Sequence, residues 1–446
     1  MIKPRFPDPL TLLVGCLLLA AILSYILPAG QYDRADDPAT GRSVVVAGTY
    51  HAVDASPVGF FDAMVAIPLG MADAADVIFL VFLIGGAFTV VDETGALRRA
   101  VGWLAHRLQH RDLLVIPLIS LVFATGGALQ NMQEEIIALI PTLLILTQRL
   151  GFTPLTAVAM SAGAAFVGSA FSPINPFQVQ IAQKLAELPL LSGGWFRLVF
   201  LFLALGLWIW GTIRYTQRTR RPPEATETDE PTTVGTRNGI VLLLVLVTFG
   251  LLVYGLLNLE WGFDEMSALF FIMGIIVGLI GGLRIAGTAK AYVRGFREMA
   301  YAAVLIGFAR AIFVVLDQGQ IVDTIVYGLV TPIEDLPTSL SALGMIVAHT
   351  ALHVPVPSVS GQAVLTMPVL VPVSDLLGLS RQVTVLAYQY GAGLCDMLTP
   401  TNGALLAILA AGGVRYEVWF KFALPWYLGL VALGAASIFV AMVLGL

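Results

Sequence analysis

Five residues, Ser172, Asn175, Thr399, Thr401 and Asn402, put hydroxyl and amide groups inside otherwise apolar sequence. Each group surrounds a proline, in SPIN at 172–175 and TPTN at 399–402. Proline removes a backbone donor and frees a carbonyl one turn back. Nothing in lipid satisfies such groups, so a helix broken by Pro173 or Pro400 has to line a cavity or bind something. Carbonyl, hydroxyl and amide oxygens suit a small hard cation such as sodium, and the half-helix beyond each break suits an anionic group at its N-terminus. The plain alternative, a proline kink without a ligand, weakens when the same pattern occurs twice at corresponding positions.

Two polar segments precede these breaks, NMQEE at 131–135 and SVSGQ at 358–362, and both read as tips of re-entrant hairpins. A carboxylate near the bilayer centre costs ~2.5–3.5 kcal/mol on insertion scales, so Glu134 and Glu135 need a reason. Asn131 and Glu134 have the spacing of a capping box, which gives Glu134 a structural reading beside a binding one. Glu135 lies ~100° further round the helix and cannot share that role; it is the better candidate for a proton, sodium or a substrate amine. Gln133 completes the first tip, and Ser358, Ser360, Gly361 and Gln362 form the second. Asp396 stands at the position matched by Ser169 in the first copy, either as an ion site or as a buried acid paired with Arg310 or a histidine. Arg310, mid-run in GFARAIF, reads as a holder of a substrate carboxylate or as the neutraliser of Glu135 or Asp396. His349 and His353 flank the second tip and read as polar pore lining, because no metal-ligand spacing surrounds them. The oxygens that sodium would find are those of Asn131, Ser172, Asn175, Ser360, Thr399 and Asn402.

The elements that position these residues recur as well. Sliding the chain by 227 residues pairs Pro141 with Pro368, Leu150-Gly151 with Leu377-Gly378, Pro173 with Pro400 and Asn175 with Asn402. Identity is low; the signal is the alignment of helix breakers. VVDETG at 90–95 and VVLDQG at 314–319 add a second match, and WFR at 195–197 echoes WFK at 419–421.

Hydrophobic residues make up 58% of the chain and charged ones 12%, with mean hydropathy +0.87. Soluble domains carry roughly 25% charge, so this is a polytopic membrane protein. No basic stripe suggests nucleic acid. The first apolar run, Pro9 to Pro28, is read as a retained helix rather than a cleaved signal, and Cys16 and Cys395 as free thiols. Basic segments at 98–111, 214–221 and 284–297 belong in the cytoplasm; the acidic loop 31–57 belongs outside. From these follows an all-α fold of two inverted repeats: about nine transmembrane helices, two re-entrant hairpins opening from opposite sides, and two broken helices. Residues 1–213 form the first repeat and 214–238 a cytoplasmic linker. A connecting transmembrane helix at 239–260 and the second repeat at 261–446 complete the chain. The N-terminus is cytoplasmic and the C-terminus periplasmic. Residues 58–73 and 287–298 read as interfacial amphipathic segments. Opposed repeats with paired broken helices are the architecture of secondary transporters.

The chain resembles the YfcC/ArcD-like permeases of the ion transporter superfamily, a group described both as basic amino acid antiporters and as four-carbon dicarboxylate carriers. MQEE, FSPINPF, SGQAVLTMP, GLSRQ and LTPTNGAL carry the resemblance, which covers nearly the whole chain. It implies a homodimer in the bacterial inner membrane, each copy having a scaffold and a mobile domain that moves substrate and sodium by an elevator step. One departure stands out. The family pattern reads GDG and then Asn before the second break, whereas this chain has GAG at 391–393 and Asp396, an acid moved by one helical turn.

The expected function is transport of a small amino acid or carboxylate, coupled to sodium or protons or working by exchange. Acids outnumber bases in the site, which favours a basic amino acid of the arginine or ornithine type over a four-carbon dicarboxylate. The coupling ion aside, no cofactor is expected. An intramembrane enzyme is a remote alternative, since YGAGLCD matches an aspartyl protease signature only loosely and GLSR at 378–381 lacks a histidine partner. A channel would need a continuous pore that opposed hairpins block.

Overall fold

The computed structural model describes residues 8–37, 42–97, 99, 112–221, 235–259, 261–334 and 336–446. Lys3 and Arg5, most of the basic segment 98–111 and linker residues 222–234 lie outside them. The described chain is mainly helical. Asp8 caps α1 (Pro9–Ile26), its carboxylate accepting the Leu10 amide at 3.0 Å, with Pro9 at the first helical position, where its missing donor costs nothing. Two short antiparallel pairs follow, β1 (Gly30–Gln31) with β4 (His51–Ala52) and β2 (Arg34–Asp37) with β3 (Arg42–Val45). Then come α2 (Phe60–Asp73) and α3 (Ala75–Glu93).

The same order of parts then occurs twice. A hairpin, α4 (Val115–Gln130) and α5 (Glu134–Arg149), leads to α6 (Pro154–Ala170), a break at 171–175, α7 at 176–185 and the long α8 (Gly194–Thr219). After α9 (Thr236–Asn258), α10 (Phe263–Ile280), α11 (Arg284–Gln318) and α12 (Val322–Glu334), a second hairpin is made by α13 (Thr338–Leu352) and α14 (Val359–Leu376). Next come α15 (Arg381–Gly393), a tight turn at 395–397, α16 (Gly403–Ala411) and the long α17 (Tyr416–Leu444). Among the described residues, eight helices are long and apolar enough to cross a membrane: α1, α3, α4 with the turn before it, α8, α10, α11, α14 and α17.

Small residues seat each hairpin's first arm on the unbroken part of its own helix. A Cβ on Gly127 would lie 2.1 Å from the Ala165 carbonyl oxygen, and one on Gly168 2.1 Å from that of Ala124, so α4 and α6 touch backbone to backbone. The counterpart contact between α13 and α15 places Gly391 against Ile346. The second arms cross over. The α5 arm leans on α16, beyond the second break, and α14 leans on α7, beyond the first. Both α2 and α3 pack on α11.

Three expectations change. Residues 287–298 are not a separate interfacial segment: α11 runs unbroken through 35 residues from Arg284 to Gln318. No proline interrupts it, and its Gly295 sits where a Cβ would meet Gly86 Cα at 2.6 Å. Residues 214–219, assigned to the linker, continue α8, with Thr216 buried. The amphipathic α12 and the strand pairs of the outer loop were not expected. Asp323 at the start of α12 holds that loop, accepting the Tyr32 amide at 3.0 Å and pairing with Arg34 at 3.0 Å. Cys16 and Cys395 are free thiols.

Candidate functional site

At the first break the polar side chains are used mainly to satisfy backbone. Ser172 Oγ donates to the Ala128 carbonyl at 2.6 Å and accepts from the amides of Ile174 and Asn175 at 3.0 and 2.9 Å. Asn175 Nδ2 donates to the Gly127 carbonyl at 2.9 Å, while its Oδ1 accepts the amides of Phe177 and Gln178 at 2.9 and 3.0 Å and so caps α7. Asn131 ends α4 in the left-handed region, φ 60° and ψ 38°, a conformation Asn tolerates better than most residues. Its Oδ1 accepts from Ser169 Oγ and, at 3.1 Å, from Gln178 Nε2. The capping box expected between Asn131 and Glu134 therefore does not form: Asn131 faces across to the first break, and Gln133 is the N-cap of α5.

The second break is organised round a carboxylate. Asp396 accepts from Gln133 Nε2 of the first tip at 2.9 Å and from Asn402 Nδ2 at 2.8 Å, and His353 Nε2 lies 2.9 Å from its Oδ1. Asn402 Oδ1 caps α16 by accepting the Leu405 amide at 2.9 Å. Behind this cluster, His353 Nδ1 meets Gln362 Oε1 at 3.1 Å, and Gln362 Nε2 donates to the His349 carbonyl at 2.7 Å. A buried chain of hydrogen bonds thus joins the first tip, the second break and the second hairpin.

Both tips and both post-break helix starts open onto one cavity of about 750 Å³. Of the candidates, Asn131, Gln133, Glu134, Glu135, Ser358, Ser360, Asp396, Thr401, Asn402 and Arg310 line it. Ser172, Pro173, Asn175, Gly361, Gln362, Thr399 and His349 do not, and Thr399 Oγ1 donates instead to the Cys395 carbonyl at 2.8 Å. The sodium set is therefore divided, with Asn131, Ser360 and Asn402 on the wall and the other three behind it. Neither His349 nor His353 lines the cavity; both are buried behind the second tip, where Tyr388 packs edge-on to His349. Arg310 pairs with neither Glu135 nor Asp396: its partner is Asp73 at the end of α2, a residue not singled out because 58–73 read as an interfacial segment. Asp76 and the aromatic groups of Phe177, Trp261, Phe263 and Phe313 also line the cavity. Glu135 is 4% exposed, and its Oε2 has no hydrogen-bond partner among the described residues.

Residues 6–443 match the model of the DcuC family, described as C4-dicarboxylate anaerobic carriers. The chain belongs to that family. It is a multi-pass membrane transporter. It is 29% identical over 467 residues to YfcC of Escherichia coli (strain K12), provisionally named a basic amino acid antiporter, covering 93% of this chain and 92% of YfcC. An uncharacterized protein of Haemophilus influenzae is 28% identical, covering 97% and 96%. The YdaH transporter of Alcanivorax borkumensis aligns over 98% of this chain and 99% of its own, at 19% identity and a TM-score of 0.45.

In this carrier Asn175 and Asn402 have a common local task, capping the half-helix beyond a break. Losing an Asn cap costs about 0.5–2 kcal/mol. Asn175→Ala is accordingly expected to lower the melting temperature by a few degrees while leaving its dependence on sodium concentration unchanged, as read by thermal shift in detergent. A shift that vanishes without sodium would assign the Asn175 oxygen to the ion instead.

Proposed function

We propose that this carrier is a secondary active transporter of small amino acids or carboxylates, with a basic amino acid of the arginine or ornithine type as the favoured substrate. The observation that carries this reading is the charge of the cavity wall. Asp73, Asp76, Glu134, Glu135 and Asp396 face it with one guanidinium, Arg310, and the unpartnered oxygen of Glu135 is the natural seat for an ammonium group or a coupling cation. A buried carboxylate oxygen that no donor reaches is costly, so a cation beside it lowers the free energy of the loaded state. The name of the E. coli relative supports the same choice.

A four-carbon dicarboxylate, coupled to sodium or protons, is the second reading. It is favoured by the family description and by the starts of α7 and α16, since Pro176, Phe177, Gly403 and Ala404 line the cavity and helix N-termini attract anions.

The repeated order of parts and the crossed-over hairpin arms support two inverted repeats, 1–213 and 261–446, joined by the linker and one connecting helix. Nine crossings then leave the N-terminus cytoplasmic and the C-terminus periplasmic in the inner membrane. The hairpins and broken helices form the moving body of an elevator, and α2, α3, α10 and α11 belong to the scaffold of a homodimer.

Uptake of labelled arginine, ornithine and succinate into proteoliposomes tests the substrate, with sodium, proton or counter-substrate gradients imposed one at a time. Saturable uptake of a basic amino acid that exceeds succinate uptake by at least tenfold is expected. The reverse order would install the second reading, and no saturable flux of any of them would remove both.

A further inference from the structure

Arg310 stands on the cavity wall with its guanidinium 4.8 Å from the centre of the Phe313 ring. Its Nε donates to Asp73 Oδ2. Both side chains are open to the cavity, Arg310 at 39% and Asp73 at 46% exposure. The pair is placed by the backbone. At Gly70, one turn before Asp73, a Cβ would lie 2.4 Å from the amide nitrogen of Ala311, so α2 and α11 touch at that crossing and bring the end of α2 to Arg310. Residue 74 leaves the helix at φ −101° and ψ 17°, which ends α2 just past Asp73.

We propose that Asp73 is a resident competitor for Arg310: its carboxylate and the carboxylate of the substrate take the same guanidinium in turn. The proposal rests on the reading of the cavity as the substrate site and adds the group that sets affinity there. A guanidinium is planar and offers paired donors suited to a carboxylate. A half-exposed ion pair is weak, so an incoming carboxylate displaces Asp73 at small cost. A ligand lacking a carboxylate gains nothing from the exchange.

The test uses the whole protein in proteoliposomes, with labelled arginine and with agmatine, the amine that arginine becomes on losing its carboxyl group, as competitor. Asp73→Asn should lower the KM for arginine ~2–5-fold, the upper part of the worth of a half-exposed pair, and leave the inhibition constant of agmatine unchanged. Arg310→Gln should raise the KM for arginine and abolish the effect of Asp73→Asn when the two are combined, as a double-mutant cycle requires of coupled groups. Melting curves of each variant confirm the fold. If Asp73→Asn changes both ligands alike, or acts equally in the Arg310→Gln background, the competition does not exist. Wild-type protein that takes up no basic amino acid defeats the substrate reading alone; the same cycle is then read on succinate uptake, and an Asp73→Asn effect independent of Arg310 overturns the proposal there too.

Discussion

Asp396→Ala is expected to reduce transport by two to three orders of magnitude and to lower the melting temperature markedly. The carboxylate is 2% exposed and is shared by three segments distant in sequence: Gln133 at the first tip, His353 at the end of α13 and Asn402 at the second break. Removing one member of a buried charged network strands the others, at about 3–5 kcal/mol, and each 1.4 kcal/mol is about tenfold in an equilibrium. Asp396→Asn keeps the volume but replaces one acceptor oxygen by a donor among donors, so it should fold better than the alanine variant and still transport poorly. Uptake in proteoliposomes and melting in detergent check both. Wild-type flux through Asp396→Ala would mean that the cluster is only filling space.

Gly168→Leu is expected to leave no properly folded carrier. The position faces the Ala124 carbonyl oxygen at 2.1 Å from a first side-chain carbon, and Gly127 faces Ala165 in the same way, so α4 and α6 have to part to admit any side chain. Overpacked sites cost about 1–3 kcal/mol even where side chains give way; here the obstacle is backbone. Parting the helices also pulls the Ala128 and Gly127 carbonyls away from Ser172 and Asn175. Gly206→Leu is the control, since nothing lies within 4 Å of a Cβ there. Size-exclusion profiles of detergent extracts should show a single peak for the control and aggregate for Gly168→Leu. Similar profiles for the two would show that the close crossing is dispensable.

Much of this was legible in the sequence because polar residues surround two of its prolines; proline alone would not have served, since Pro141, Pro368 and Pro425 sit inside unbroken helices. Pro173 and Pro400 mark the two breaks, and the polar residues ahead of them mark the two tips. What those residues do was less legible. An amide oxygen that coordinates a cation and one that caps a helix look the same in a sequence, and Asn175 and Asn402 cap. Asn131 and Glu134 have capping-box spacing, yet the partners that claim Asn131, Ser169 and Gln178, lie 38 and 47 residues downstream. Distance along the chain also hid Asp73 from Arg310, 237 residues apart. An arginine in an apolar run announces that it needs a partner without naming it.

The crossing of hairpin arms has a consequence for how the molecule is made. Gln133 waits for Asp396 and Asn402, which leave the ribosome 263 and 269 residues later, and α5 has no α16 to lean on until then. Unsatisfied polar groups in hydrocarbon are expensive, so the nascent first half has to keep its tip in water, or in the care of the insertion machinery, until the end of the message is read. Two halves of this carrier produced as separate polypeptides would each lack surface that the other supplies, and only their mixture would regain the complete pocket.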